Sequence, residues 1–220
     1  IATPLLPVTP AWLEDADDYT LPLWFDRIRI CAHTRLGPGW RDKPVFYTAA
    51  EKFASLGLEE FVRHIKSGDE GAWSPSAVGV AHDELADENA ARRIIANAHE
   101  QGCRVIVYHR HMEDAGMAEA HPDWVCRDWN GQPYTRRGKM MCFNSPYTEY
   151  FEKRLLELVE LGADGFYFDE VHMPKAGCWC DYCREEFEKR TGLEHPRAPL
   201  PDNPLWQKLI DFNNLTIART

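Results

Sequence analysis

The sequence predicts an α/β fold of the (β/α)8 TIM-barrel type, of which this chain forms the N-terminal part. Short apolar segments alternate with amphipathic helical segments, glycines end several helical segments, and no glycine-rich phosphate loop follows the first strand. Strands that alternate with helices form parallel sheets with right-handed crossovers. The missing phosphate loop disfavours a dinucleotide-binding sheet, and the barrel is therefore preferred.

The first elements follow an N-terminal arm. Residues 1–26 are rich in prolines and aromatic residues and are predicted to form an extended arm, whereas residues 27–220 are predicted to form the barrel. A β-branched segment predicts a strand that ends at His33. A strand, a short helix and a second strand are predicted at residues 27–32, 48–55 and 58–65.

The alternation is clearer in the rest of the chain. Apolar side chains recur at helical spacing in residues 84–101, Gly102 ends this helix, and an apolar strand is predicted at 104–108. Proline suits the first position of a helix. The later predicted elements are a helix from Pro146 to Gly162, a strand at 165–168, and helices at 181–190 and 205–220.

The number of units is too small for a closed barrel. A complete (β/α)8 barrel needs about 250 residues, whereas this sequence contains only about four strand-helix units. We therefore expect either a missing C-terminal half or pairing with another chain, as in a homo-oligomer.

Composition excludes several classes of partner. A net charge of -10 and a pI near 5.4 work against binding to nucleic acid, which needs Lys and Arg to neutralise phosphates. No apolar run reaches the roughly 18 to 20 residues that span a bilayer, so no membrane association is expected. The odd count of seven cysteines favours reduced thiols and a cytoplasmic location. The first residue is Ile1, which leaves open an exported form with a removed leader.

Two adjacent acidic residues end the fourth predicted strand. Reacting groups of parallel barrels lie at the C-terminal ends of strands, which selects Asp169 and Glu170 as catalytic candidates. The two-residue period of a strand places Asp169 on the same face as Tyr167, and Glu170 on the opposite face. A carboxylate at a barrel mouth is what a glycosidase needs. The alternative is that Asp169 caps the following loop or pairs with a nearby arginine.

Histidines and tryptophans supply candidate substrate-binding groups. Histidines at strand ends could orient a sugar hydroxyl or the carboxylate, and tryptophans in loops could stack on a sugar ring. Ordinary packing remains the alternative for these residues. The candidates are His33, Trp73, His109, His111, Trp124 and His172.

A tight cysteine cluster follows the acidic pair. Cys178, Cys180 and Cys183 form a C-x-C-x-x-C array, and thiolates packed this closely suit a tetrahedral zinc ion. Three ligands do not close a structural site, so a fourth must come from elsewhere.

A series of motifs in one order resembles a known group of proteins. The group is the TIM-barrel glycoside hydrolases that are distant relatives of the family 29 α-L-fucosidases and the family 42 β-galactosidases. The resemblance covers residues 27–192. It is carried by His121-Pro-Asp-Trp124, Cys142-Phe-Asn-Ser-Pro-Tyr147, Asp164-Gly-Phe-Tyr-Phe-Asp-Glu170 and Cys178-Trp-Cys-Asp-Tyr-Cys-Arg184.

The resemblance implies roles for several residues. In family 42 enzymes a cysteine followed by x-Asn-Ser-Pro joins the three clustered cysteines on one structural zinc, which implies Cys142 as the fourth ligand. In the fucosidase-like group the nucleophile is an aspartate after phenylalanine at the end of strand four, which implies Asp169. Family 42 enzymes instead place the acid/base glutamate after an asparagine there, so the roles of Asp169 and Glu170 stay open.

The predicted function is hydrolysis of a carbohydrate substrate, with a retaining mechanism and an acid/base that is not identified in this chain. The alternative is a non-catalytic carbohydrate-binding barrel whose zinc only holds a loop in place. A catalytic zinc is disfavoured, since four thiolates leave no open position for water.

Overall fold

The structure of the 220-residue chain is a computed structural model. It describes residues 31–34, 45–57, 60–63, 66–67, 71–72, 77–78, 90–169, 171–174, 176–199, 201–202 and 204–219. Of residues 31–34, 45–47, 60–63, 66–67, 71–72 and 90, only the backbone is described. The predicted arm, most of the first predicted strand, Trp73 and Glu170 lie outside the described residues.

Four parallel strands form the sheet that organises the chain. Counting two short strands outside this sheet, the described residues form the strands β1 (Cys31–Thr34), β2 (Glu60–Arg63), β3 (Lys66–Ser67), β4 (Gly71–Ala72), β5 (Arg104–Arg110) and β6 (Gly165–Asp169). The sheet has the order β1-β2-β5-β6, and each neighbouring pair is parallel. The short strands β3 and β4 form a separate antiparallel pair, which the sequence pattern does not predict. The predicted parallel α/β architecture is confirmed, while closure into a barrel stays a prediction.

The helices fall close to their predicted places. They are α1 (Val45–Ser55), α2 (Ala90–Glu100), α3 (Ala115–Ala120), α4 (Tyr147–Glu160), α5 (Asp181–Thr191) and α6 (Pro204–Ala218). Helix α5 ends where predicted, because Gly192 takes the left-handed conformation with φ of 68° and its N–H donates to the carbonyl of Glu188. The six-residue helix α3 is too short to show a helical period, and the sequence pattern missed it.

The two faces of the sheet are distinct. Val105 and Val107 of β5 are fully buried and pack with α1 and α2. Ile106 and Tyr108 point to the other face and form a small cluster of their own. A Cβ atom on Gly165 would lie 2.9 Å from the Ile106 side chain, so glycine at this position lets β6 lie against β5. The face that carries Tyr108 is therefore the one turned away from the helices.

A second, larger core lies beyond the C-terminal ends of the strands. It combines the loop before α4 with one face each of α4, α5 and α6. Phe151, Phe187 and Phe212 supply large buried rings to this core. This core also contains five of the seven cysteines, so the loop segments that carry them pack against buried apolar side chains. Among the described residues, no helix has both the length and the apolar character that crossing a membrane requires.

Candidate active site and cysteine cluster

The carboxylate of Asp169 lies at the C-terminal end of β6. The register pairs Asp169 with Arg110 and Tyr167 with Tyr108. The Tyr108 hydroxyl donates a hydrogen bond of 2.5 Å to Asp169 Oδ2. Burial, together with this bond, raises the pKa of Tyr108 to about 12. Tyr108 therefore remains protonated at neutral pH and holds the carboxylate on the face of the sheet that is turned away from the helices.

A second carboxylate, that of Glu113, is linked to Tyr108 through Arg110. The Arg110 guanidinium acts to lower the pKa of Tyr108, against the larger effects that raise it, and Arg110 Nη1 lies 3.2 Å from Oε2 of Glu113. The backbone N–H of Arg137 donates to the other oxygen of Glu113 at 3.2 Å. Glu113 is only 4% exposed. It was not among the sequence candidates, because it lies three residues beyond the strand end in a segment without a recognisable motif.

Two of the predicted substrate-binding histidines lie on the helix side of the sheet. His109 is fully buried, its ring meets Phe151 of α4 edge-on, and its Nδ1 donates to the carbonyl of Arg110. His111 stacks on Phe143 with ring centroids 4.3 Å apart. Burial, and to a lesser degree the nearby His172, lowers the pKa of His111 to about 4, so this ring is neutral at pH 7. Both rings thus pack against aromatic side chains, as the packing alternative expects, and a role in substrate binding stays a prediction.

The other substrate-binding candidates are dispersed. His172 lines an open cleft of about 680 Å³ just beyond β6. Trp124 stacks on His121 at 3.8 Å and contacts Tyr182 of α5, on the cysteine side of the fold. His33 lies one residue before the end of β1, opposite Val62, and only its backbone is described. Of these three residues, His172 is the one that the structure brings to the end of β6.

Four of the cysteines converge as the resemblance implies. The Sγ atoms of Cys142, Cys178, Cys180 and Cys183 all lie within 4.8 Å of one another, and all four residues are buried. Cys142 Sγ lies 3.4 Å from that of Cys183 and 3.5 Å from that of Cys180. A disulfide would need about 2.05 Å, whereas tetrahedral zinc with bonds of about 2.3 Å separates its sulfurs by about 3.8 Å. The four thiols therefore could bind one metal ion.

A fifth thiol, that of Cys126, lies beside the four and was not predicted. Its Sγ lies 3.4 Å from the carbonyl of Met141 and also contacts Cys142 and Cys178. Hydrogen bonds with neighbouring thiols, that from Cys126 first, lower the pKa of Cys142 to about 6 and hold that of Cys178 well below its usual value. The cluster thus favours thiolates at two of its positions, which is the form that binds metal.

The cluster is tied to the rest of the fold through Asn144. The Asn144 side-chain amide donates to Cys183 Sγ at 3.2 Å and to Thr216 Oγ1 of α6 at 3.2 Å. Trp179, inside the cysteine array, is 2% exposed and donates from its indole nitrogen to the carbonyl of Pro196. The sulfur atoms are therefore shielded from water and joined to α6.

Comparisons with known proteins point to one class. Residues 62–170 match the family described as hypothetical glycosyl hydrolase 6. An α-L-fucosidase isoenzyme from Paenibacillus thiaminolyticus aligns with a TM-score of 0.61 and 20% identity, over 86% of this chain and 29% of its own. A cold-adapted β-galactosidase from a Rahnella species aligns with a TM-score of 0.58 and 17% identity, over 87% of this chain and 32% of its own. A comparison with curated proteins gives no significant match.

A solved chain of similar extent also matches. A hypothetical protein from Ruminiclostridium thermocellum aligns with a TM-score of 0.58 and 13% identity, over 87% of this chain and 90% of its own. At such identities the structural likeness shows a shared fold. Together with the family match over residues 62–170, it confirms the predicted resemblance to glycoside hydrolases. This chain spans 29% and 32% of the two glycosidases that it matches.

Proposed function

We propose that this chain contributes the N-terminal part of a (β/α)8 barrel in a retaining glycoside hydrolase, with Asp169 as its nucleophile. The observation that carries the proposal is the position of the Asp169 carboxylate. It ends a parallel strand, on the face that a closed barrel would turn inward, and the Tyr108 hydroxyl fixes one of its oxygens at 2.5 Å. Active sites of such barrels lie at this edge.

The chemistry follows from that geometry. With Tyr108 bound to Oδ2, the other oxygen, Oδ1, attacks the anomeric carbon as the glycosidic bond breaks and the leaving group is protonated. Water then cleaves the glycosyl ester and releases Asp169 as a carboxylate. A retaining enzyme needs a second carboxyl group about 5 to 5.5 Å from the nucleophile, to protonate the leaving group and later deprotonate water. Glu170 and groups from the rest of the barrel are the candidates for this role.

The four converging cysteines support a structural zinc site. Cys142, Cys178, Cys180 and Cys183 would supply four thiolates, the ligand set of closed structural zinc sites. Zinc bound there would hold the loop after β6 against the loop before α4. Four protein ligands leave no position for substrate, so the metal has a structural role and the reaction steps belong to carboxylates.

The test of the nucleophile compares two substitutions of the same kind. Asp169→Asn should lower hydrolysis of an aryl glycoside at least about 10³-fold in the full-length protein, the scale of loss seen when a nucleophile is removed. Asp181→Asn removes a carboxylate that is 88% exposed on α5 and should leave the rate unchanged. In Asp169→Gly, added azide should restore turnover as glycosyl azide. Full activity in Asp169→Asn contradicts the proposal.

A carbohydrate-binding barrel without catalysis is the second candidate. The contacts of Glu113 favour this second candidate, because Glu113 is the carboxylate that is linked to Asp169 through Arg110 and Tyr108. Both of its oxygens are already held, one by Arg110 and one by the backbone of Arg137. Binding of glycans by full-length protein that hydrolyses no aryl glycoside would identify this function.

A further inference from the structure

A short hairpin of positive charge lies at the same edge of the sheet as Asp169. The segment 134–140, here called the basic hairpin, contains Arg136, Arg137 and Lys139 and no acidic residue. Thr135 and Lys139 pair across it, and the N–H of Arg136 donates to the carbonyl of Gly138 to close the turn. All three cationic side chains are exposed. In a chain of net charge -10, this concentration of positive charge is local and not a property of the whole surface.

Two contacts fix the hairpin over the end of β5. Glu113 pairs with Met140 across an antiparallel bridge, and it accepts the N–H of Arg137. A Cβ atom on Gly138 would lie 3.7 Å from Cβ of Glu113, which is ordinary packing distance. Glu113 in turn contacts Arg110, the residue opposite Asp169 in the sheet. The hairpin is thus positioned by the strand that carries Tyr108.

A third contact extends the hairpin to the end of β6. Arg136 Nη1 lies 3.4 Å from Nε2 of His172, which follows Asp169 by three residues. Between them opens the cleft of about 680 Å³, which is also lined by Tyr134, Thr135, Met140 and Pro174. This volume lies within the usual range of small-molecule sites, about 300 to 1,000 Å³. The cleft therefore combines a tyrosine ring, a hydroxyl, a guanidinium and an imidazole just beyond the end of β6, the strand that ends at the proposed nucleophile.

We infer that this cleft binds an anionic group on the sugar substrate, a carboxylate or a sulfate, through Arg136 and His172. A guanidinium presents paired N–H donors that match two oxygens of such a group, and it stays charged at any physiological pH. Arg136 donates to Nε2 of His172 at 3.4 Å, so the imidazole carries its proton on Nδ1, and this N–H would donate to another oxygen of the same group. A hydroxyl of a neutral sugar can accept from the same donors, but it lacks the charge that strengthens these hydrogen bonds. The inference rests on the proposed function for the place of sugar binding and adds the substrate class.

The test is glycan binding by the full-length protein, measured on an array that carries matched neutral, uronic-acid and sulfated glycans. The preferred glycan is then titrated by calorimetry. Arg136→Gln should weaken binding of the anionic glycan at least about tenfold, the contribution of one charge-assisted hydrogen bond. The effect on its neutral counterpart should stay below about twofold. His172→Gln should weaken the same glycan selectively.

A matched variant tests whether the loss of affinity is specific to the cleft or follows from the loss of any exposed positive charge. Arg197→Gln removes the same charge from a side chain that is 91% exposed on the loop after α5, and it should leave affinity unchanged. Selective binding of uronic-acid glycans identifies a carboxylate, and selective binding of sulfated glycans identifies a sulfate. Equal binding of neutral and anionic glycans, no anionic glycan bound at about 1 mM, or equal losses in Arg136→Gln and Arg197→Gln would overturn the inference. Retained hydrolysis of a neutral aryl glycoside in those cases leaves the proposed function standing.

Discussion

Asp114 and Arg154 form an ion pair in the core between α3 and α4, and replacing the aspartate with asparagine removes half of it. Arg154 Nη1 lies 2.6 Å from Asp114 Oδ2, and the side chains are 1% and 5% exposed. Asp114 also caps α3 by accepting the N–H of Met117 at 3.0 Å. Asparagine caps a helix about as well as aspartate. Asp114→Asn therefore isolates the loss of charge.

The expected loss in the free energy of unfolding follows from the burial of both side chains. Removing one partner of a buried pair leaves the other charge uncompensated and typically costs about 3 to 5 kcal/mol. The pair of Glu186 and Arg190 on α5, at 2.5 Å and with side chains 24% and 21% exposed, is the matched control. Glu186→Gln should cost only about 0.5 kcal/mol, as is usual for neighbours one helical turn apart.

Urea unfolding at pH 7, followed by tryptophan fluorescence and extrapolated linearly, measures both changes. The double variant Asp114→Asn with Arg154→Met should lose less than the two single losses added together, with a coupling of about 1 to 3 kcal/mol. A cost for Asp114→Asn as small as that for Glu186→Gln, or additive losses in the double variant, would refute the reasoning.

The remaining predictions concern the metal and the response to acid. Cys142→Ser should lose about one equivalent of zinc by elemental analysis, whereas Cys126→Ser should keep it, since Cys126 is outside the group of four; equal zinc in both variants would contradict the ligand set. Burial acts to raise the pKa of Asp164, but hydrogen bonds from the Val105 N–H, His99 and Arg104 outweigh it and lower the pKa below 3.8. The stability that Asp164 contributes is thus present above about pH 3.8 and lost as pH falls through the lower folded-state pKa. Below pH 4 the free energy of unfolding of the wild-type protein should therefore fall more steeply with decreasing pH than that of Asp164→Asn. Equal dependence on pH in the two proteins, measured by urea unfolding, would contradict this role of Asp164.

The fold was predictable where the signal is local. The alternation of strands and helices, and the glycines that end them, predicted the elements from β5 to α6 within a few residues, except for α3, and also the end of α2; residues 84–89 of the predicted α2 lie outside the described residues. The hairpin of β3 and β4 has strands of two residues each, which is too short to show a period. The contact of Tyr108 with Asp169 depends on the register between strands 61 residues apart, which no local pattern specifies.

The candidate site was predictable in part for the same reason. Three of the four clustered cysteines are close in sequence, and the resemblance supplied Cys142. Cys126 lies 16 residues before Cys142 with no characteristic spacing, so it was found only in the structure. The orientation of His109 follows from a local pattern. The two-residue period that placed Asp169 with Tyr167 also places His109 with Val105 and Val107, toward the helices.

The convergence of Cys142 and Cys183, 41 residues apart, closes a loop of the chain that contains α4 and β6. A metal ion held by these thiols would restrict the unfolded chain as a cross-link does, and a loop of this size corresponds to about 4 kcal/mol of lost chain entropy. Asp169 lies inside that loop. The proposed nucleophile would thus be tethered from both directions along the chain, and chelation of the metal would release both tethers at once.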